Sequence, residues 1–255
     1  MAKVCLFSSL TRDDLSNSTI HLSDTTIIRS ATADDIISIE RFQYHAFLST
    51  SDNFWANSDR QKHIDDYSFF NLAYLCVRLQ NTRYRIRIVE VSGTIAGFAI
   101  WCFQTPDGPP ELNDPPLEIV EAWRKEGHDE PNFSFPDIQC KTFDSYRINL
   151  EPQIVSCDPV ESLPEEHFLL EFFAVSAAYR KQGLGSSLIR EGIAWAEKLE
   201  IPLYVGALDE AASFYRRHGF RDIKIERYVD ERKGREATHL QHDMMRPLPK
   251  GEEGE

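Results

Sequence analysis

The segment that most restricts this chain is Arg180-Lys181-Gln182-Gly183-Leu184-Gly185, set between an apolar run at 168–175 and an amphipathic run that starts at Leu184. A strand that enters a glycine-rich turn and leaves as a helix makes a cradle for an anion. The first turn of a helix carries amide donors without intrahelical partners, and the aligned peptide dipoles add about half a positive charge there. Gly183 and Gly185 let the main chain approach a phosphate with no Cβ in the way. Arg180 and Lys181 bring cations to the same place, and the planar Arg fork matches phosphate oxygens. Spacing excludes two familiar phosphate loops, because the chain has neither a Gly-Lys-Ser/Thr loop of the Walker type nor three glycines as G-x-G-x-x-G. What it has is R-x-x-G-x-G late in the chain, followed about thirty residues later by Phe214-Tyr215-Arg216-Arg217-His218-Gly219-Phe220.

Together these two segments resemble the GNAT superfamily of acyl-CoA N-acyltransferases. Thr26-Ile27-Ile28-Arg29-Ser30-Ala31-Thr32-Ala33-Asp34-Asp35 resembles the family's opening strand and its passage into a helix. Ile95-Ala96-Gly97-Phe98-Ala99-Ile100-Trp101 resembles its third strand, and Leu170-Glu171-Phe172-Phe173-Ala174-Val175 with Tyr179-Arg180 resembles the fourth strand and its exit. The resemblance implies an α/β (α+β mixed sheet) fold, with a central, twisted, mostly antiparallel sheet splayed between strands four and five and flanked by helices. It implies a single N-acetyltransferase domain over 25–248, preceded by a polar arm (1–24), interrupted by an acidic, Pro-rich insertion at about 105–165 and followed by an acidic tail (249–255). Acetyl-CoA is the implied co-substrate. Amides of Gln182, Gly183, Leu184, Gly185 and Ser186, with Arg180 and Lys181, would hold its diphosphate, and the pantetheine arm would lie along main chain near Phe173 and Val175. Tyr215 stands where the family has the tyrosine that faces the coenzyme sulfur. Ser176-Ala177-Ala178 and Leu208-Asp209-Glu210 stand where the family often has a proline, departures that touch turns rather than donors.

A chain of 255 residues, 42% hydrophobic, can bury roughly three quarters of its unfolded surface, which fits one elaborated domain. No apolar stretch reaches the roughly 18 residues needed to cross a bilayer, and 4–10 is too short and poorly flanked for a signal segment, so a cytoplasmic protein is expected, with no membrane partner. Five cysteines without a C-x-x-C pair argue against a disulfide framework and a zinc site, and suit a reducing compartment. His239 and His242, three apart in an expected strand, point to opposite faces, so no metal is expected there. The formal charge of -13 opposes a nucleic-acid partner. It either draws a cationic acceptor or only keeps the protein soluble. The implied acceptor is a small-molecule or peptide amine, and a homodimer is compatible with the sequence.

Thr32 reads as a helix N-cap, with Asp35 three residues on and Ile36, Ile39 and Phe42 or Gln43 on one side. Ser58 can cap a second helix in which Phe69, Leu72, Leu75, Cys76 and Leu79 fall at helical spacing. The aromatics between, Phe42, Tyr44, Phe47, Phe54 and Trp55, read either as core or as one wall of an acceptor pocket, with Trp55 the best pocket candidate. A hairpin is expected from Tyr84–Val91 and Thr94–Gln104 around Ser92-Gly93. The insertion is expected to carry helical pieces at Leu117–Lys125 and 143–150, and serves either as a lid or as decoration. Leu184, Leu188, Gly192, Trp195 or Ala196, and Leu199 form one helix face. A strand at 201–207 is expected to be buried on both faces, a short helix at 212–217 ends at Gly219, and 223–229 with 238–245 make a last hairpin.

An amine that attacks a thioester needs a held donor, a free lone pair, a polarised carbonyl and a tolerable leaving thiolate. Transfer of a proton from the Tyr215 phenol, pKa about 10, to a thiolate near 8.5 is uphill by about 2 kcal/mol, so the site must help or a hydrogen bond must suffice. The other reading of Tyr215 is a core ring beside Phe214. Glu171 is the candidate base, because an alkylammonium near 10.4 is protonated at neutral pH. Regular alternation places it on the face of Leu169, Phe173 and Val175, and a salt-bridge role is its alternative. Asp209 and Glu210 are either helix N-terminal caps or acceptor contacts. No cysteine falls at this centre, so direct attack without a covalent enzyme intermediate is expected. The function expected is an N-acetyltransferase acting on a primary amine; the alternative is an acyl-CoA-binding regulatory module without turnover.

Overall fold

The computed structural model describes residues 18–54, 60–104, 113–128, 153–157, 164, 166–230 and 237–248. Among them nine strands form one sheet: β1 (Ile20–Ser23), β2 (Thr26–Ser30), β3 (Tyr84–Val91), β4 (Thr94–Gln104), β5 (Gln153–Cys157), β6 (His167–Val175), β7 (Leu203–Leu208), β8 (Arg221–Asp230) and β9 (Ala237–Arg246). Their order is β1-β2-β3-β4-β6-β7-β9-β8-β5. Every pairing is antiparallel except β6 with β7. The helices are α1 (Ile36–Phe54), α2 (Arg60–Gln80), α3 (Leu117–Lys125), α4 (Leu184–Lys198) and α5 (Asp209–Arg216).

Alternation along the central strands divides the interior into two cores, one on each face of the sheet. Val89, Ala99 and Trp101 face α4, where they meet Leu184, Leu188, Ile189 and Trp195. Ile86, Ile88, Phe98, Ile100 and Cys102 face the other way, against Ile36 and Ile39 of α1, Leu72, Leu75 and Cys76 of α2, and Trp123 of α3. A Cβ added at Gly192 would lie 2.3 Å from the Trp101 indole, so α4 seats on β4 only because that position has no side chain. The β3–β4 turn has Ser92 at φ 51 and Gly93 at φ 76, the left-handed pair that a two-residue hairpin needs to match strand twist. At the start of α1 the Asp35 carboxylate accepts the Thr32 amide at 2.7 Å and both Nη groups of Arg29 at 2.7 and 2.8 Å, joining the helix entry to β2.

Three expectations are corrected. Ile20–Ser23, expected within an irregular arm, pairs with β2 as an edge strand. A strand inside the insertion, β5, was not expected; it pairs with β8 at the opposite edge. The strand expected at 201–207 to be buried on both faces is β7, in which Leu203, Val205 and Ala207 are buried while Gly206 is exposed. Helices α4 and α5 pack on one face there, whereas α1 and α2 pack on the opposite face against β3, β4 and β6. The 143–150 helix, the Ser58 cap, Trp55 and the side chains of Tyr44, Phe47 and Phe54 lie outside the described residues, as do 1–17 and 249–255.

Candidate functional site

Strands β6 and β7 pair at Phe168↔Leu203, Leu169↔Tyr204 and Leu170↔Val205, then part. Each is held on its outer side for longer, β6 by β4 as far as Gly97↔Val175 and β7 by β9 as far as Leu208↔Gln241. The gap between them is a cleft of about 740 Å³, lined by residues 170–175 of β6, the turn after it, the end of β7, and Phe214 and Tyr215 of α5.

One wall is main chain. The Ser176 amide donates to the Ala96 carbonyl at 2.9 Å, closing the β4–β6 ladder. Strand amides alternate in direction, so those of Phe173 and Val175 turn the other way, into the cleft. A single 3-10 turn, Ala177–Tyr179, leads to Lys181 at φ 63 and to Gly183 at φ 83, the N-cap of α4. Gly183 suits this left-handed position, whereas Lys181 adopts it at some cost. The first bond of α4 runs from Ser187 N to Gly183 O at 3.0 Å, so the amides of Leu184, Gly185 and Ser186 stand ahead of the helical ladder at its positive end.

Side chains brace the turn. Arg180 Nε donates to the Val175 carbonyl at 3.1 Å, Gln182 Nε2 to the Ala178 carbonyl at 3.3 Å, and Ser186 Oγ lies 3.1 Å from His218 Nε2. Burial, then the charges of Arg190 and Arg217, hold the His218 pKa below the usual histidine value. A Cβ at Gly185 would come 3.2 Å from Phe173 Cζ and 3.6 Å from Phe214 Cζ, so the cradle floor is closed to side chains and open to main-chain approach. Amides ahead of the helical ladder, the exposed cations Arg180 and Lys181, and a floor that a Cβ would crowd, together fit a diphosphate.

The facing wall carries Tyr215. Its ring packs among Phe173, Phe214 and Phe220, with centroids 6.3, 5.3 and 5.6 Å away. It is 5% exposed, and burial raises its phenol above the ordinary tyrosine pKa. Gly219, at φ 85, ends the helix: Phe220 N bonds Tyr215 O at 3.3 Å and Gly219 N bonds Arg216 O at 3.1 Å. This Schellman arrangement folds Phe220 back onto Tyr215. Asp209 lies 3.0 Å from His242 Nε2, whose Nδ1 lies 2.8 Å from Asp222, so Asp209 ties α5 to β9 while Glu210 lines the cleft. His242 is buried in that network; the side chain of His239 lies outside the described residues.

Glu171 departs from its expected face. In the β4–β6 register Ile100 opposes Phe172 and Trp101 opposes Leu170, which leaves Glu171 as an extra residue, a β-bulge. Leu169 belongs to the core beneath α1 and α2, and past the bulge Phe172 and Ala174 do too, while Phe173 joins the α4 side. Glu171 therefore turns toward α2 and away from the face of Phe173 and Val175. Arg78 Nε donates to Glu171 Oε2 at 2.6 Å, Arg78 Nη2 pairs with Oε1, and the Tyr74 hydroxyl donates to Oε1 at 3.2 Å. The Arg78 side chain is 1% exposed and lies over the Tyr74 ring. Sequence reasoning missed Arg78 and Tyr74, and also Phe214 as a ring stacked on Phe173 at 5.6 Å. A signal for Arg78 existed: a charge three residues after Leu75 and one before Leu79 sits in the apolar stripe of α2.

Residues 148–222 match the family model of the acetyltransferase (GNAT) domain. That stretch runs from the end of the insertion through β6, the cradle, β7 and α5, and so includes both walls of the cleft. Among solved structures the chain is similar to one from Corynebacterium glutamicum described as histone acetyltransferase HPA2 and related acetyltransferase. Identity there is 20%, coverage 89% of this chain and 99% of that one, and the TM-score 0.51. It is also similar to the ribosomal-protein-S18-alanine N-acetyltransferase from Escherichia coli, at 18% identity, 90% and 99% coverage and TM-score 0.42. A GNAT family acetyltransferase from Brucella melitensis in complex with acetyl-CoA is similar at 14% identity, 79% and 86% coverage and TM-score 0.41. A search of curated proteins finds no match. The matched stretch, under a third of the chain, is similar to an acetyltransferase (GNAT) domain, and the mixed sheet is the fold shared with the Corynebacterium glutamicum structure.

Proposed function

We propose that this protein transfers an acetyl group from acetyl-CoA to a primary amine by direct attack. The observation that carries the reading is the splay beyond Leu170↔Val205, which opens a cleft with an anion cradle at one end and a buried phenol on its wall. The amides of Leu184, Gly185 and Ser186, with Gln182, Gly183, Arg180 and Lys181, hold the diphosphate. The amides of Phe173 and Val175, turned into the cleft, would hold the pantetheine arm as an added half-strand, and one of them would donate to the thioester oxygen. The bound thioester supplies an activated acyl carbon and a sulfur leaving group.

Glu171 accepts one proton from the acceptor ammonium, which frees a nitrogen lone pair to form the N–C bond as the C–S bond breaks with its electron pair on sulfur. Tyr215 gives its proton to that sulfur and regains one from the second nitrogen proton through solvent, while Glu171 releases its own to solvent. The pKa of a coenzyme sulfur desolvated in the cleft would be raised as well, which would offset part of the rise at Tyr215.

One observation favours the second reading, an acyl-CoA-binding module without turnover: both Glu171 oxygens are already engaged by α2. The test is calorimetry with acetyl-CoA, followed by thiol release in the presence of n-butylamine, spermidine, lysine amide or an alanine-led peptide. Micromolar binding with amine-dependent release supports transfer, and binding without release from any amine supports the module. Gly185→Glu, which adds bulk and negative charge to the cradle floor, is expected to abolish binding. Retained binding in that variant places the coenzyme elsewhere.

A further inference from the structure

We propose that Arg78 is a positioning residue, which with Tyr74 holds the Glu171 carboxylate at the acceptor side of the cleft; this rests on the transferase reading above. Three observations converge on it. Glu171 is the extra residue of a β-bulge, a device that re-aims a side chain out of strand alternation. It lines the cleft. Its carboxylate is gripped from another element by a guanidinium that is 1% exposed.

A buried ion pair is a poor way to gain stability, because desolvation consumes most of the attraction and apolar residues of similar size commonly do as well. The fork supplies orientation instead. Nε donates to Oε2, Nη2 lies against Oε1 as an ion pair outside hydrogen-bond geometry, Tyr74 donates to Oε1, and the remaining lone pairs stay available to an ammonium proton. The proton that Glu171 takes is the first of the two the nitrogen loses, and it passes to solvent.

Glu171→Gln alone strands a buried guanidinium and is expected to unfold at a markedly lower temperature, so the informative variant removes both charges. Arg78→Met with Glu171→Gln is expected to recover most of that loss and to bind acetyl-CoA within threefold of the parent by calorimetry. Its kcat, measured with the best amine of the panel above, should fall about 100-fold or more, and the acidic limb of its kcat/KM profile should vanish. Arg78→Lys keeps the charge but replaces the fork with a point contact. It should lower kcat about tenfold, leave KM for acetyl-CoA unchanged and displace the acidic limb. A folded double variant that turns over within threefold of the parent overturns the proposal and makes the pair structural. So does an Arg78→Lys enzyme with the parent's kcat and pH profile. If the parent itself fails to bind acetyl-CoA or to acetylate any amine, the transferase reading falls and the proposal with it, a failure visible before any variant is made.

Discussion

Glu40 of α1 offers a quantitative test of how the core beneath α1 and α2 is built. It is 2% exposed, and its one hydrogen bond shorter than 3 Å among the described residues comes from Ser68 Oγ at 2.7 Å, a hydroxyl that accepts Trp123 Nε1 of α3 at 2.8 Å. Burial pushes the carboxyl from its ordinary 4.5 up to about 7, with Ser68, His128 and Arg41 pulling it partly back. The native state therefore keeps a proton that the unfolded chain loses between pH 4.5 and 7. The stability this group contributes is complete below 4.5, declines as pH rises and is gone above about 7. At about 1.4 kcal/mol per pH unit, the decline is about 3 kcal/mol. Glu40→Gln keeps an acceptor for Ser68 and never ionises. Urea unfolding at pH 5, 6, 7 and 8 should show the variant gaining on the parent by about 2 to 3 kcal/mol across that range. Parallel stability curves, with a difference that does not change with pH, would refute the argument that the carboxyl is desolvated.

Gly192→Ala places a methyl 2.3 Å from the Trp101 indole, and thermal unfolding should report a loss of about 1 to 3 kcal/mol from overpacking. Tyr215→Phe keeps the aromatic cluster and removes only the hydroxyl. Turnover should drop by about 10- to 100-fold with acetyl-CoA affinity and melting temperature nearly unchanged, and full activity in this variant would remove Tyr215 from the chemistry.

Much of the fold was legible because its signals are local. The β3–β4 hairpin follows from two strands of alternating residues around Ser92-Gly93, and α3 from a short amphipathic run bounded by prolines. The helix that starts at Leu184 follows from its apolar spacing and the glycine before it. Where reading failed, partners distant in the chain decided the outcome. Ile20–Ser23 carries too little apolar pattern to announce a strand, and β2 supplies the edge that makes it one. Strand β5 exists because β8 offers it an unpaired edge.

At the cleft the division is clearest. The sequence alone determined the left-handed turn at Gly183, the helix start behind it and the glycine stop after Tyr215, since each depends on conformational limits within a few residues. The separation of β6 and β7, expected from the family resemblance, is fixed in the tertiary structure by how long β4 and β9 hold their outer edges. Only the tertiary structure decided where Glu171 points. A bulge is a mismatch of register with a neighbouring strand, and the guanidinium that grips this carboxylate lies 93 residues earlier in the chain; neither is a property of the segment in which Glu171 stands.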